Sequence, residues 1–170
     1  MENFFALLPH DTDAASRLAS KHDSRVTGRA KLKSPTPMKL RHAVEIRHDS
    51  FIDPAFVRLL RKHRIGLVCA DTVDWPRLMD VTSDFVYCRL HGSEELYASG
   101  YGDAELDIWA DRIKAWACGS EPKDAERVID EAGPRRAKRD VFLFFDNDRK
   151  VRAPYDAKTL IGKIDAAQTR

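Results

Sequence analysis

The chain has 170 residues, of which 43% are hydrophobic and 33% charged, and its formal net charge at pH 7 is +2. This length predicts a single domain with a substantial buried core, and the small net charge excludes a strong whole-protein attraction to nucleic acid or to membranes. No window approaches the roughly 18 apolar residues of a membrane span, and the first residues lack the features of a secretory signal. We therefore expect a cytoplasmic protein without membrane contact.

The predicted elements alternate between strands and helices. Residues 2–8 resemble the last turns of an apolar helix, and residues 11–22 a second helix capped by Asp11 or Thr12. Residues 24–40 form a basic, proline-containing loop. Four short apolar runs then predict buried strands, and amphipathic spacing predicts three more helices. The predicted strands are residues 42–46, 65–70, 85–90 and 141–145. The first of the three helices starts after Asp53, the second runs from a cap at Asp103 to about Cys118, and the third covers residues 156–164.

Two stretches between these elements lack periodicity. Residues 71–84 are predicted to be a loop with at most a short helix, and residues 119–139 a charged, flexible insertion. The order of strands and helices is typical of parallel β/α units, and near-continuous apolar runs fit strands that are covered on both faces. We therefore expect an α/β fold with about four parallel strands and flanking helices.

Charged residues stand at the end of each predicted strand, in the segments AVEIRH, GLVCAD, FVYCRLHG and VFLFFDND. In α/β folds, functional sites gather at the carboxyl ends of parallel strands. Alternation places Glu45 and Arg47 on one face of the first strand, and Arg89 and His91 on one face of the third. Burying such charges without partners costs several kcal/mol each. They must therefore pair with one another, bind a ligand or reach water.

Two interpretations of these charges are open. In the first, Glu45 is held by Arg47 or Arg89 in an internal ion-pair network. In the second, the two arginines bind an anion such as phosphate or a carboxylate, because the guanidinium fork fits such groups. His48 and His91 would then transfer protons near neutral pH. The two interpretations can coexist, since arginines that are held by carboxylates are already positioned for an anion.

A divalent metal ion is a further hypothesis. Glu45, Asp71, His91 and Asp146 stand at or just after the ends of four different strands, and mixed histidine and carboxylate ligands suit a hydrolytic ion. The sequence contains no metal-binding motif that supports this hypothesis. The loop aromatics Trp75, Tyr97 and Tyr101 either pack locally or stack on a ligand ring.

Three segments resemble the YecE-like family, the domain of unknown function 72 (DUF72): LRHAVEIRHDSF, DFVYCRLHG followed by ELYASGYGDAELDIWADRI, and RDVFLFFDNDRKVRAPYDA. The resemblance covers residues 4–164 and implies a TIM-type β/α barrel without an assigned activity. Many members have Phe-Asn-Asn at the last strand, where this chain has Phe145, Asp146 and Asn147. The family's characteristic polar positions map onto Glu45, Arg47, His48, Asp71, Arg89, His91, Gly92, Asp146 and Asn147.

These positions give two sets of candidate site residues. The candidate catalytic residues are Glu45, His48, Asp71 and His91. The candidate substrate-binding residues are Arg47, Arg89, Asp146 and Asn147.

Family members are usually longer, and this sequence resembles their second half. A full barrel takes about 250 residues, so we expect residues 1–170 to form a single partial domain, a half-barrel of about four strands. Four strands leave two open edges. Two alternatives follow: the reading frame is truncated or misassigned, or self-association or a partner chain covers these edges.

Three functions stay open from the sequence. The first is an enzyme, or part of one, that acts on an anionic substrate at the strand ends. The second is a nucleic-acid-binding module that uses the basic residues 25–33 and 135–139, with an affinity that falls steeply with salt. The third is a non-catalytic fragment of a longer barrel protein. The sequence does not decide whether the chain is an enzyme, and it names no cofactor.

Overall fold

The computed structural model describes residues 1–30, 36–148 and 151–166. The chain divides into two compact units, Met1–His42 and Ala43–Arg170. The first unit contains two short helices, α1 (Glu2–Leu7) and α2 (Thr12–Ala19). Asp11 caps α2 by accepting a hydrogen bond from the Ala14 amide at 2.6 Å. Of the predicted basic loop, residues 31–35 lie outside the described part of the chain.

The second unit is built on a four-stranded parallel sheet with the order β1-β2-β3-β4. In the described residues the sheet is open, with β1 and β4 at its edges. The prediction of an α/β half-barrel with four parallel strands and flanking helices is confirmed. The strands are β1 (Ala43–Val44), β2 (Gly66–Asp71), β3 (Phe85–Leu90) and β4 (Asp140–Phe145), and the helices are α3 (Pro54–His63), α4 (Asp103–Ala117) and α5 (Ala153–Ala166).

The helix starts follow from local capping chemistry. Asp53 accepts a hydrogen bond from the Ala55 amide at 2.7 Å, and Pro54 occupies the first turn of α3, as predicted. The predicted cap of α4 at Asp103 is wrong by one residue, because Gly102 is the N-cap. The Gly102 amide donates to Glu105 Oε2 at 2.6 Å, and this contact from the third helical residue fixes where α4 begins.

The sheet has one face against helices and one face turned away from them. Cys88 and Leu90 of β3 are fully buried in the core, together with Trp109 and Trp116 of α4. Helix α3 packs on β2, and α4 and α5 pack on β4 and on each other. This side is the helix face. The opposite side, which carries Tyr87 and Arg89 of β3 at partial exposure, is the inner face.

Residues 119–139 contain neither helix nor strand, as predicted. Hydrogen bonds connect this segment to the rest of the second unit. The carboxylate of Asp80 accepts from the Val128 and Ile129 amides at 2.8 and 3.3 Å. Arg139 is buried and donates to the Ser120 and Pro134 carbonyls. The flexibility of the segment stays a prediction.

Among the described helices, none combines the length and the apolar character needed to cross a membrane.

Candidate functional site

Five charged or ionisable side chains meet on the inner face at the carboxyl ends of the strands. Arg89 lies at the centre: its Nη1 donates to Glu45 Oε2 at 2.6 Å, and its Nη2 donates to Asp146 Oδ2. Arg47 also binds Glu45, with Nε 2.8 Å from Oε1. His91 completes the group beside both carboxylates. Glu45, Arg47, Arg89, His91 and Asp146 are the inner cluster.

The strand register explains why these residues meet. Arg89 pairs in register with Phe144 of β4, so Asp146, two residues further along, points to the same face. Glu45 follows β1 directly, one residue beyond Val44, which pairs with Leu67 of β2. Parallel strands bring their carboxyl ends to the same edge of the sheet. Both carboxylates therefore reach Arg89 from opposite sides.

The electrostatics of the inner cluster favour its ionised form. Burial alone would raise the pKa of Glu45, but the hydrogen bonds from Arg89 and Arg47 outweigh burial and lower it. Burial alone would lower the pKa of Arg89, but Glu45 and Asp146 raise it. The cluster holds two guanidinium groups and two carboxylates, and the predicted internal ion-pair network is therefore present.

His91 is the one inner-cluster residue without any exposed surface. Its Nδ1 lies 3.1 Å from Asp146 Oδ2, and its Nε2 lies 3.9 Å from Glu45 Oε2. The 3.9 Å contact is too long for a hydrogen bond and the 3.1 Å contact is not aligned as one, so both ring nitrogens lack a hydrogen-bond partner within the described residues. Burial and the nearby Arg89 lower the pKa of His91, and the two carboxylates only partly oppose this. The lowered pKa favours the neutral form of the ring.

Two aromatic rings flank His91. Trp75, in the loop after β2, and Tyr97, in the loop after β3, each contact the imidazole edge to face at a centroid distance of 5.3 Å. Arg47 lies over the Trp75 ring at 4.6 Å. Tyr97 has a φ of 61°, a left-handed conformation that bulky residues rarely adopt and that concentrates at functional sites.

The candidate sets of the sequence did not include Trp75 and Tyr97. The signal in the sequence that could have identified them as site residues is their position in loops that follow strands. Gly92, which follows His91 directly, allows a backbone conformation that a larger residue would not. Gly92 has a φ of 114°, and a Cβ there would lie 2.4 Å from the Glu95 carbonyl oxygen.

Three of the predicted site residues lie away from the inner cluster. Asp71 points to the helix face, where its carboxylate binds Arg77 Nη1 at 2.5 Å. Asn147 is fully buried, and its amide donates to the Ser99 carbonyl at 2.9 Å and to the carboxylate of Asp156 at 2.8 Å.

His48 is the third of these residues. It is exposed, and its Nδ1 accepts a hydrogen bond from the Ser50 amide at 3.1 Å. The ring therefore caps the short 3₁₀ turn at Asp49–Phe51. Within the described residues the hydrogen bonds of His48 are to Ser50, so its proposed acid–base role has no geometric support at the inner cluster.

The geometry gives no support to a metal centre. In the part of the chain that the structure describes, no group of three or more histidine, cysteine or acidic side chains is arranged to hold a metal ion. Arg89 itself lies between Glu45 and Asp146, and Asp71 belongs to the other face. A guanidinium in the middle of the carboxylates repels a cation.

A cavity of about 390 Å³ lies on the helix face. Arg77 links Asp71 to Glu126 there, and Arg112 donates twice to Asp124 at 2.9 and 2.7 Å. Both pairs connect residues outside the 119–139 segment to residues within it. The charges of this cavity therefore hold a loop in place, whereas those of the inner cluster bind mainly one another.

The basic segments neither support nor exclude nucleic-acid binding. In the first segment, residues 31–33 lie outside the described part of the chain. In the second, Arg139 is buried and bound to carbonyl oxygens, whereas Arg135, Arg136 and Lys138 are exposed. Nucleic-acid binding therefore stays a prediction.

An open parallel sheet with flanking helices, whose charged residues gather at its carboxyl edge, defines a protein of the α/β class. The chain matches the family described as "Protein of unknown function DUF72" over residues 2–170 and belongs to that family. The resemblance that the sequence motifs carry is thereby confirmed, and the molecular function of the family is unknown. No curated protein matches the chain.

Solved structures of two DUF72 family proteins share the fold. The Thermotoga maritima protein is 22% identical, with a TM-score of 0.56, and the match covers 77% of this chain and 47% of that one. An Enterococcus faecalis protein is 17% identical, with a TM-score of 0.54, covering 74% of this chain and 48% of that one. The chain thus spans about half the length of the solved structures that it matches. At these identities the likeness shows the fold alone.

Proposed function

We propose that the inner cluster binds a small anionic ligand, carrying a phosphate or carboxylate group, through Arg47 and Arg89. The observation that carries this proposal is the convergence of two guanidinium groups on one carboxylate, Glu45, at the carboxyl edge of the sheet. Arginines that are fixed in this way lose less side-chain entropy when a ligand binds. A planar fork of N–H donors matches the oxygens of such a ligand.

Arg47 is the arginine that a ligand meets first. Its side chain is 54% exposed, whereas that of Arg89 is 30% exposed. Arg47 directs Nε and Nη2 at Glu45, and the other N–H groups of a half-exposed guanidinium are accessible to a ligand. The Trp75 ring beneath it limits the positions that Arg47 can take.

Asp146 is the inner-cluster carboxylate best placed for proton transfer. Its side chain is 36% exposed, while His91 behind it is fully buried. In this proposal Asp146 accepts a proton from a bound hydroxyl group or water, and the hydrogen bond from Arg89 Nη2 holds the carboxylate in position. His91 packs behind Asp146, and Trp75 and Tyr97 lie against its ring.

Calorimetric titration with inorganic phosphate tests the binding proposal. Replacing Arg89→Ala removes the central guanidinium, and we expect affinity to fall roughly 10- to 150-fold, since a hydrogen bond to a charged group contributes about 1.5–3 kcal/mol. Arg77→Ala is the matched control, because Arg77 also links two carboxylates and its side chain is 29% exposed. The proposal fails if the unaltered chain does not bind, or if both variants lose affinity equally.

A further inference from the structure

We infer that binding of an anion at the inner cluster brings a proton to His91, so that its two ring nitrogens donate to Glu45 and Asp146 while the arginines bind the anion. This inference rests on the proposed function, because it concerns how the same site responds to its ligand. Three observations support it: the oxygens that the ring shares with Arg89, the position of one carboxylate beside each ring nitrogen, and the charges around the ring.

Arg89 and His91 lie beside the same two oxygen atoms. Arg89 Nη1 donates to Glu45 Oε2 at 2.6 Å, and its Nη2 donates to Asp146 Oδ2. His91 Nε2 lies 3.9 Å from that Glu45 oxygen and Nδ1 lies 3.1 Å from that Asp146 oxygen, without a hydrogen bond at either nitrogen among the described residues. An anion that accepts the Nη hydrogens of Arg89 therefore leaves both oxygens available to the ring.

His91 is fully buried, so its unpaired nitrogens cannot be satisfied by bulk water. Buried polar atoms in native proteins nearly always have a hydrogen-bond partner, and an exception calls for an explanation. The two acceptors beside the ring are both in use by Arg89. The unpaired state of the ring is thus the consequence of an arginine that holds its acceptors.

The exchange of partners requires the protonated ring. Neutral imidazole carries one N–H group, whereas the protonated form carries two. Because one carboxylate lies beside each nitrogen, only the protonated ring can donate to both. The proton comes from solvent by way of Asp146, whose side chain is 36% exposed, and it adds to the ring nitrogen that lacks one. No bond between heavy atoms forms or breaks.

The charges around His91 change in the direction that favours this proton. Trp75, after β2, contacts the ring without a charge. Burial and the two arginines lower the pKa of the free ring, and the two carboxylates only partly oppose them. An anion on the arginines adds negative charge beside the ring, so it raises that pKa. The titratable groups that face the ring are Glu45 and Arg47 after β1, Arg89 on β3, Tyr97 in the loop after β3, and Asp146 after β4.

Calorimetry with sulfate tests the uptake of the proton. Sulfate resembles phosphate in shape and keeps both charges between pH 5 and pH 8, so it does not itself exchange protons. Titrations near pH 6.5 in two buffers of different ionisation enthalpy give the number of protons taken up per sulfate bound. We expect uptake in the unaltered chain and none in His91→Phe. Equal uptake in the two proteins overturns the inference.

The pH dependence of sulfate affinity is a second readout that a merely structural histidine would not change. We expect affinity to rise roughly 5- to 150-fold from pH 8 to pH 5, the range of a typical coupling between two binding events. The ratio of the two affinities should fall in His91→Phe. His48→Phe is the matched control, because His48 is exposed and bonds to Ser50, and its ratio should equal that of the unaltered chain. An unchanged ratio in His91→Phe contradicts the inference.

Nuclear magnetic resonance on the unaltered chain covers the case in which His91→Phe fails to fold. Contacts with the Trp75 and Tyr97 rings identify the His91 imidazole. We expect it to titrate at a higher pH with sulfate than without. Equal titration curves overturn the inference and leave the proposed function intact. Absence of sulfate binding also overturns the inference, and absence of phosphate binding as well overturns the proposed function.

Discussion

Arg77 and Arg89 have nearly the same immediate surroundings on opposite faces of the sheet. Each donates to two carboxylates, and the exposed fractions of their side chains are 29% and 30%. Arg77 connects Asp71 to the 119–139 segment, whereas Arg89 connects side chains that follow the two edge strands. A charged residue at a strand end is therefore not by itself a sign of function. The face to which it points decides what it does.

Other polar groups outside the inner cluster follow the pattern of Arg77. Asp80 holds two loop amides, and Asn147 holds the Ser99 carbonyl and Asp156. Removing such groups leaves buried partners without hydrogen bonds. The inner-face charges bind mainly one another at a partly exposed edge. We expect the stability of the fold to depend on the polar groups outside the inner cluster, and ligand binding to depend on the charges of the inner cluster. Three substitutions test this division.

Asn147→Ala should have the largest effect on stability. It removes two hydrogen bonds of a fully buried amide and leaves buried acceptors behind, so we expect the free energy of unfolding to fall by about 2–3 kcal/mol. Chemical denaturation measures this change. Asp148→Ala, next in sequence but exposed, is the control and should change stability by less than about 0.5 kcal/mol. Equal losses in the two variants would show that Asn147 has no special role in holding the loops.

His91 should give the chain a pH-dependent stability of intermediate size. Its pKa is lowered in the folded state, first by burial and then by Arg89, from an ordinary value of 6.5. Below that pH the unfolded chain binds a proton that the folded chain does not, so stability falls as the pH drops. Each pKa unit of difference corresponds to about 1.4 kcal/mol.

Denaturation at pH 8 and pH 5 checks the His91 prediction. We expect the unaltered chain to lose more stability over this range than His91→Phe, in which the ring cannot be protonated. Glu45 has a lowered pKa, and its contribution is lost at more acidic pH, below its ordinary value of 4.5. Parallel pH curves for the two proteins would exclude titration of His91.

Arg47→Ala should have the smallest effect on stability. The ion pair with Glu45 is half exposed on the arginine side, and such pairs contribute less than about 1 kcal/mol. Phosphate affinity should nevertheless fall in the same variant, because Arg47 is the most accessible donor. Denaturation and calorimetry on one preparation measure both quantities. A large loss of stability without a loss of affinity would place Arg47 with the structural charges.

Much of the fold could be predicted from the sequence, because apolar runs and caps are local signals. β3 matches its predicted bounds, and the alternation that places Arg89 and His91 on one face holds. Because side chains alternate between the two faces of a strand, Asp71, two residues after Cys69, lies on the helix face. For the same reason Asn147, the residue after Asp146, points away from the inner face. The candidate site residues were chosen by their position at strand ends alone, and they therefore include residues from both faces of the sheet.

Other features of the site could not be predicted in this way. Trp75 and Tyr97 reach His91 through loop conformations, including the left-handed backbone of Tyr97, that no periodicity encodes. The role of His48 as a cap depends on a short 3₁₀ turn, Asp49–Phe51, for which the sequence carries no periodic signal. The pattern of a strand shows on which face of the sheet and near which edge a residue lies, whereas the conformation of a loop depends on tertiary contacts.

A crystal structure of the chain soaked with inorganic phosphate shows most directly whether the inner cluster binds an anion. We expect phosphate density within hydrogen-bond distance of the Arg47 and Arg89 guanidinium groups on the inner face. Density beside Arg77 in the cavity of the helix face, with none at the inner cluster, would contradict it.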